Sequence, residues 1–368
     1  MKIKVLVVDD TIFYRKIVCD ILESFPNVEV VGTANNGKIA MSRIRLLKPD
    51  LLTLDIEMPE MNGLQVLKEI QKENLASDCL ILSSKTQHDS LITLQALELG
   101  AFDFIAKPDE ELPDENRKNL ARQLQLALQA YGRSLEIKQR YAKSGMAAKA
   151  APRSQKIDKV AAAVKNAGYT ATKPKKRTER SKAIAIGVST GGPKALAEMI
   201  PQLKGDIGVP IFLVQHMPEM FTASLANNLN NKCALTVKEA ENGEQVKSNT
   251  VYVAPGGKQM KVASGAGLTK IIRITNDPQE NNCRPAVDYL FRSIAREYGA
   301  ESTCVVMTGM GSDGRLGLKV AKASGTFAIA QNEETCVVYG MPKAVIDSKL
   351  ADVVAPLERI AHEIMKTV

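Results

Sequence analysis

The sequence predicts two α/β domains, the first on a five-stranded parallel sheet and the second on a mainly parallel sheet, joined by a basic flexible linker. Short apolar runs alternate with amphipathic helix-like stretches up to about Tyr131 and again from about Ser181. That is the pattern of strands whose crossover helices cover both faces of a sheet. Between the two stretches lies a segment with almost no large apolar residues. At 368 residues and 45% hydrophobic content the chain is comfortable for two cores and long for one. The expected boundaries are 1–130, 131–181 and 182–368.

In the first half, strands are expected near Val5–Val8, Val28–Val31, Leu51–Leu54, Leu80–Leu82 and Phe104–Ala106. Polar residues fall at their carboxyl ends: Asp9 and Asp10 after the first, Asp55 after the third, Ser83 after the fourth and Lys107 after the fifth. In open α/β sheets that edge binds ligands. Three carboxylates converging there repel one another unless a cation intervenes. Hard Mg²⁺, which takes a few carboxylates and keeps several waters, suits them. The chemistry this suggests is metal-assisted formation of an acyl phosphate on an aspartate.

The linker carries the basicity of the chain. From Lys138 to Lys182 there are fourteen Lys or Arg against two acids, while the formal net charge of the whole is +8, so the two domains together are net acidic. A solvated, self-repelling tether is expected from that composition, with an electrostatic docking strip for an acidic partner or a phosphate backbone as the alternative. No nucleic-acid partner is expected, because no groove-reading helix or aromatic-interleaved basic face accompanies the charge.

In the second half, strands are expected near Ala183–Ile186, Ile211–Gln215, Val251–Ala254, Lys270–Ile274, Thr303–Met307, Phe327–Ala330 and Asp352–Val354. The run Gly187-Val188-Ser189-Thr190-Gly191-Gly192 follows the first of these and leads into a helix-like stretch opening at Pro193. A serine on such a turn has its hydroxyl lifted clear of the sheet and backbone N–H groups aimed nearby, which makes Ser189 a candidate nucleophile. Three histidines are available as its base. His88 and His362 fall in helical stretches, where a surface role is expected. His216 closes the apolar run Ile211–Gln215 at the same edge as Ser189, and an imidazole titrating near neutrality is what a serine needs. Asp313, in the glycine-rich turn after Thr303–Met307, is the favoured orienting acid, with Asp277 and Asp288 as competitors. The order Ser, His, Asp matches neither the α/β-hydrolases nor the familiar serine proteases.

Three motifs of the first half, Val-Val-Asp-Asp, Leu-Asp-Ile-Glu-Met-Pro-Glu-Met-Asn-Gly-Leu and Phe-Ile-Ala-Lys-Pro, resemble the receiver domain of bacterial response regulators over residues 1 to about 130. The resemblance implies a flavodoxin-like fold with Asp55 as phosphoacceptor. It places Mg²⁺ on Asp9, Asp10, Asp55 and the backbone carbonyl of Glu57. Ser83 and Lys107 would contact the phosphoryl oxygens, and Phe104 would be an aromatic that moves on activation. Asn62 stands where an aspartate is frequent.

Six motifs of the second half follow in order: Ile-Gly-Val-Ser-Thr-Gly-Gly-Pro, Val-Gln-His-Met-Pro, Val-Tyr-Val-Ala-Pro-Gly-Gly, Cys-Arg-Pro-Ala-Val-Asp, Thr-Gly-Met-Gly-Ser-Asp-Gly and Cys-Val-Val-Tyr-Gly-Met-Pro. They resemble the CheB family of chemotaxis protein-glutamate methylesterases. That implies Ser189 as nucleophile, His216 as base, Asp313 as orienting acid and backbone oxyanion donors near Thr190 and Met310, with no cofactor for ester hydrolysis. The implied substrates are glutamyl methyl esters, and certain glutamines, of methyl-accepting chemotaxis receptors. The chemotaxis histidine kinase would be the phosphodonor, and the unphosphorylated receiver would cover the cleft. Gln259 stands where a histidine is common and Arg315 where a small residue is usual, and both are expected to alter the cleft rim.

The six cysteines lack any Cys-x-x-Cys pair and are expected to be reduced, with neither zinc nor a disulfide framework implied. No uncharged apolar stretch is long enough to span a bilayer, and a cytoplasmic location is expected. Two rival readings differ in function. One is a receiver-controlled serine esterase acting on another acyl substrate. The other is a DNA-binding regulator in which Ser189 is a turn residue.

Overall fold

A computed structural model describes residues 2–84, 86–108, 114–143 and 179–368. Most of the expected linker lies outside the described residues. The N-terminal strands are β1 (Ile3–Val8), β2 (Val28–Ala34), β3 (Leu51–Asp55), β4 (Asp78–Ser83) and β5 (Asp103–Ala106). They form one sheet in the order β2-β1-β3-β4-β5, with every pair parallel. All five residues of β3 are buried, as expected of a central strand with helices on both faces. Those helices are α1 (Ile12–Glu23), α2 (Gly37–Leu47), α3 (Gly63–Lys72), α4 (Gln87–Glu98) and α5 (Asp114–Lys143). Asn62 opens α3 with a capping box: its side chain accepts from the Gln65 amide at 3.0 Å, and Gln65 Oε1 accepts from the Asn62 amide at 2.9 Å. An asparagine caps here as well as an aspartate does. Helix α5 continues to Lys143, past the expected boundary at 130. Tyr131 on it is fully buried and donates its hydroxyl to the Asp50 carbonyl at 2.7 Å.

In the C-terminal half, β6 (Ala183–Val188), β7 (Ile211–Gln215), β8 (Thr236–Glu239), β9 (Thr250–Val253), β12 (Ser302–Val306), β13 (Phe327–Gln331) and β14 (Val353–Ala355) form a seven-stranded sheet. Its order is β14-β13-β12-β6-β7-β9-β8, again with every pair parallel. Around it lie α6 (Gly192–Met199), α7 (Phe221–Asn230), α8 (Val287–Tyr298), α9 (Arg315–Ala323), α10 (Met341–Asp347) and α11 (Leu357–Met365). The expected strand at Lys270–Ile274 stands apart from this sheet. As β11 (Lys270–Thr275) it pairs antiparallel with β10 (Gln259–Ser264), since the short loop between them leaves no room for the crossover that a parallel pair requires. Strands β8 and β10 were not anticipated, because each mixes polar and apolar residues too evenly to read as an apolar run.

The two halves touch. Helix α4 packs against α6 and α7, and the Phe104 and Phe221 rings meet at 4.6 Å between centroids. The Ser90 and Ser224 hydroxyls lie 2.5 Å apart in a buried hydrogen bond. Ion pairs Glu98–Lys232 and Arg140–Glu333 flank the contact. One apolar cluster runs from Leu94, Leu97 and Ala106 into Phe221 and Leu225, while Val338 joins the other apolar cluster of the N-terminal domain. Among the described residues, no helix is long and apolar enough to cross a membrane.

Candidate active site

Each sheet reverses its winding once, between β1 and β3 in the first and between β12 and β6 in the second, and such switch points open a crevice at the strands' carboxyl ends. In the second sheet Ser189 follows β6, His216 follows β7 and Asp313 lies in the loop after β12, so the three come from adjacent strands. The turn holding Ser189 is tightly built. Its amide donates to Thr308 O at 2.9 Å, and its carbonyl accepts from Gly192 N at 2.7 Å. Gly309 presses its backbone on the serine: a Cβ there would fall 2.7 Å from Ser189 Cβ. Gly191 adopts φ +76° in the same turn, a conformation that favours glycine. Thr308 Oγ1 donates to Thr190 O at 2.9 Å, and the buried Gln331 accepts from Thr308 N at 2.8 Å. Beneath the crevice the buried Gln215 donates from Nε2 to Ser189 O at 3.1 Å and to His216 O at 3.2 Å, tying two strand ends together.

The structure brings His216 and Asp313 into direct contact, with Nε2 2.8 Å from Oδ2. Asp313 Oδ2 also accepts from Val287 N at 2.7 Å. Its Oδ1 accepts from Asp288 N, Gly314 N and Asn281 Nδ2, each at 2.9 Å. Burial works against the anion, but the His216 ring and the backbone amides of Asp288 and Val287 outweigh it and hold the Asp313 carboxyl below the usual carboxylate range. The other ring nitrogen, Nδ1, faces Cys283 Sγ at 3.6 Å. Burial alone would lower the ring's affinity for a proton, yet the Cys283 sulfur and Asp313 push it up to about 10.

Both ring nitrogens are thus occupied, and the Ser189 hydroxyl makes no hydrogen bond with His216 among the described residues. The amides of Thr190 and Met310 donate to no other described residue. Of the competing acids, Asp277 is engaged by Tyr289 and Lys261. Asp288 accepts from Gly317 N and Asn281 and supports Asp313 through its own amide. His88 and His362 are exposed. Gln259 departs from expectation: it is fully buried rather than at a rim, donating to Pro278 O at 3.0 Å and accepting from Ala286 N at 2.9 Å. It thereby anchors the segment that delivers the Val287 and Asp288 amides to Asp313. Arg315, half-buried, opens α9.

In the first sheet, Asp9, Asp10 and Asp55 each offer a carboxylate oxygen, all within 4.8 Å of one another. Lys107 Nζ reaches Asp55 at 2.6 Å and Asp9 at 2.8 Å. Burial pushes the Asp55 carboxyl up to about 6 with help from Asp9 and Asp10, although Lys107 opposes the shift. One lysine therefore leaves the cluster short of positive charge, and a set of hard oxygen donors in that state suits a divalent cation of the Mg²⁺ kind. Ser83 points elsewhere, accepting from Thr93 Oγ1 on α4 at 2.7 Å. Glu57 lies beside Asp89, whose charge raises its carboxyl.

Fold and sites together define a response regulator with an enzymatic α/β output domain. The CheB methylesterase family model matches residues 184–364, and the response regulator receiver domain matches residues 5–115. The chain is 50% identical to a protein-glutamate methylesterase/protein-glutamine glutaminase of Desulfotalea psychrophila, covering 100% of this chain and 98% of that one. It is 41% identical to the Bacillus subtilis protein of the same description, again covering 100% and 98%. The crystal structure of the Thermotoga maritima CheB methylesterase catalytic domain superposes with a TM-score of 0.50 at 42% identity, covering 51% of this chain and 99% of that one. The chain belongs to the CheB methylesterase family.

Proposed function

We propose that this chain is a phosphorylation-regulated protein-glutamate methylesterase and glutamine deamidase of bacterial chemotaxis, acting on methyl-accepting chemoreceptors. The observation that carries the reading is the His216–Asp313 pair seated one strand on either side of the Ser189 turn, in a chain of this family. Ser189 Oγ attacks the glutamyl side-chain carbonyl while His216 takes its proton. For that to occur the ring exchanges its Cys283 contact for the serine. The amides of Thr190 and Met310 stabilise the oxyanion, worth about 10² to 10³ in rate per donor. Asp313 fixes the tautomer and stabilises the imidazolium. Methanol leaves, and water hydrolyses the glutamyl-enzyme to a carboxylate; an amide substrate releases ammonia by the same route.

In the receiver, Asp55 accepts the phosphoryl group from a chemotaxis histidine kinase. Mg²⁺ would be held by Asp9, Asp10, Asp55 and the Glu57 carbonyl, where it neutralises charge on the transferring group. Lys107 and Ser83 bind the phosphoryl oxygens. Ser83 must leave Thr93 to do so, which loosens α4 from α6 and α7 and uncovers the crevice. The setting is the cytoplasm. The test is release of labelled methanol from methylated chemoreceptor, with and without an acyl-phosphate donor. Release that rises with the donor and vanishes in Ser189→Ala is expected. Hydrolysis of simple esters without methanol release from receptor would favour the alternative acyl substrate.

A further inference from the structure

Cys283 has no part in the mechanism above, yet its sulfur lies 3.6 Å from the ring nitrogen that must act as base. Sulfur and imidazole nitrogen bound to one tetrahedral zinc, at the usual Zn–S and Zn–N lengths, stand about 3.6 Å apart. The remaining ring nitrogen donates to Asp313 at 2.8 Å, the carboxylate–histidine arrangement that orients and strengthens a zinc-bound imidazole. His216, Cys283 and Asp313 each offer a ligand atom, all within 4.8 Å of one another. Cys283 is half-buried, so an ion can reach it. A thiolate and an imidazole select a borderline-soft cation over Mg²⁺. Sequence spacing gave no sign of the site because its ligands come from separate loops, after β7 and before α8.

We propose that His216 Nδ1 and Cys283 Sγ bind Zn²⁺, with Asp313 as the outer partner of the ring, and that the bound ion shuts off the esterase. The shut-off, though not the binding, rests on the reading of His216 as the base. On binding, the Cys283 thiol and any proton on Nδ1 release H⁺ to buffer. The thiolate and the nitrogen lone pair replace two of the ion's waters, and no electron is transferred. With Nδ1 coordinated, Ser189 has no acceptor for its proton.

The experiment uses the full-length chain with excess Mg²⁺ to occupy the receiver carboxylates, a reductant that does not bind metal, and ZnCl₂ or CoCl₂ as probe. Wild type should retain one more zinc per chain in equilibrium dialysis than Cys283→Ala, and should show a sulfur-to-cobalt charge-transfer band that Cys283→Ala and Cys283→Ser both lack. With an acyl-phosphate donor present, zinc should lower wild-type methanol release at least tenfold, reversibly on chelation, and leave each variant's own rate unaffected. Equal zinc retention and no cobalt band in wild type would overturn the site while leaving His216's role intact. Zinc bound with undiminished methanol release would overturn the shut-off and, with it, the reading of His216 as base.

Discussion

Asp55 and Asp313 are the same residue type in the same kind of place, near a switch point at the carboxyl edge of a parallel sheet, yet the protein pushes them in opposite directions. Asp55 is buried beside two other acids with one lysine for company, and its carboxyl rises to about 6. Asp313 is as deeply buried but accepts from three backbone amides, Asn281 and the His216 ring, and its carboxyl falls. The first carboxylate is under-compensated, so it gains from a cation, and the more so once it carries the added charge of an acyl phosphate. The second is fully satisfied, so it stays an anion and orients its partner. What separates a switch from a scaffold here is the number of donors around the carboxylate.

The largest effect that would break this comparison is at the satisfied acid. Asp313→Asn should lower kcat for methanol release by about 10⁴ in a protein that still folds, with a lowered melting midpoint because the amide cannot accept from all five donors around the carboxylate, and near-wild-type turnover would contradict the contrast. At the under-compensated acid the readout is stability. Below pH of about 4 the folded and unfolded chains both keep the Asp55 proton. Between about 4 and 6 the unfolded chain releases it while the folded one holds it, so metal-free stability falls as pH rises and stays reduced above 6, by up to about 3 kcal/mol. Asp55→Asn should therefore raise the receiver's unfolding midpoint at pH 7 and leave it unchanged at pH 4. A lowered midpoint at pH 7 would show the acid to be well compensated after all.

Asn281→Ala removes one donor from Asp313, an interaction with a charged acceptor worth about 1.5 to 3 kcal/mol. It should cost about tenfold to a hundredfold in kcat and move the acid limb of the pH profile upward. A KM change alone would mark Asn281 as structural. The smallest effect concerns the contact between the domains. Phe104→Ala removes a ring pair worth about 0.5 to 1.5 kcal/mol and should raise unstimulated methanol release by about two- to tenfold without raising the stimulated maximum.

The residues of both sites were legible because strand ends are marked in sequence by a polar residue closing an apolar run. Asp9, Asp55, Lys107, Ser189 and His216 all sit at such ends. Their support was not legible. Gln215 and Gln331 look like ordinary strand-end residues, and their bonds to the backbone of neighbouring turns depend on strand order, which no local pattern encodes. Asn281 and Cys283 lie in the loop between β11 and α8, which reaches the crevice only through the fold. Gln259 was expected to alter the rim because the resemblance has a histidine there; a partly polar strand packed against α8 placed it inside instead. The linker's composition told of its charge, and the burial of Tyr131 shows the N-terminal domain reaching beyond the point where apolar alternation fades.

The account depends on Ser189 being the residue that attacks. Incubating the full-length chain with a serine-directed fluorophosphonate, with and without an acyl-phosphate donor, and mapping the modified peptide by mass spectrometry tests this directly. The expected result is one adduct on Ser189, formed faster with the donor and lost in Asp313→Asn. An adduct on Cys283, or an unmodified Ser189 in the phosphorylated protein, would contradict it.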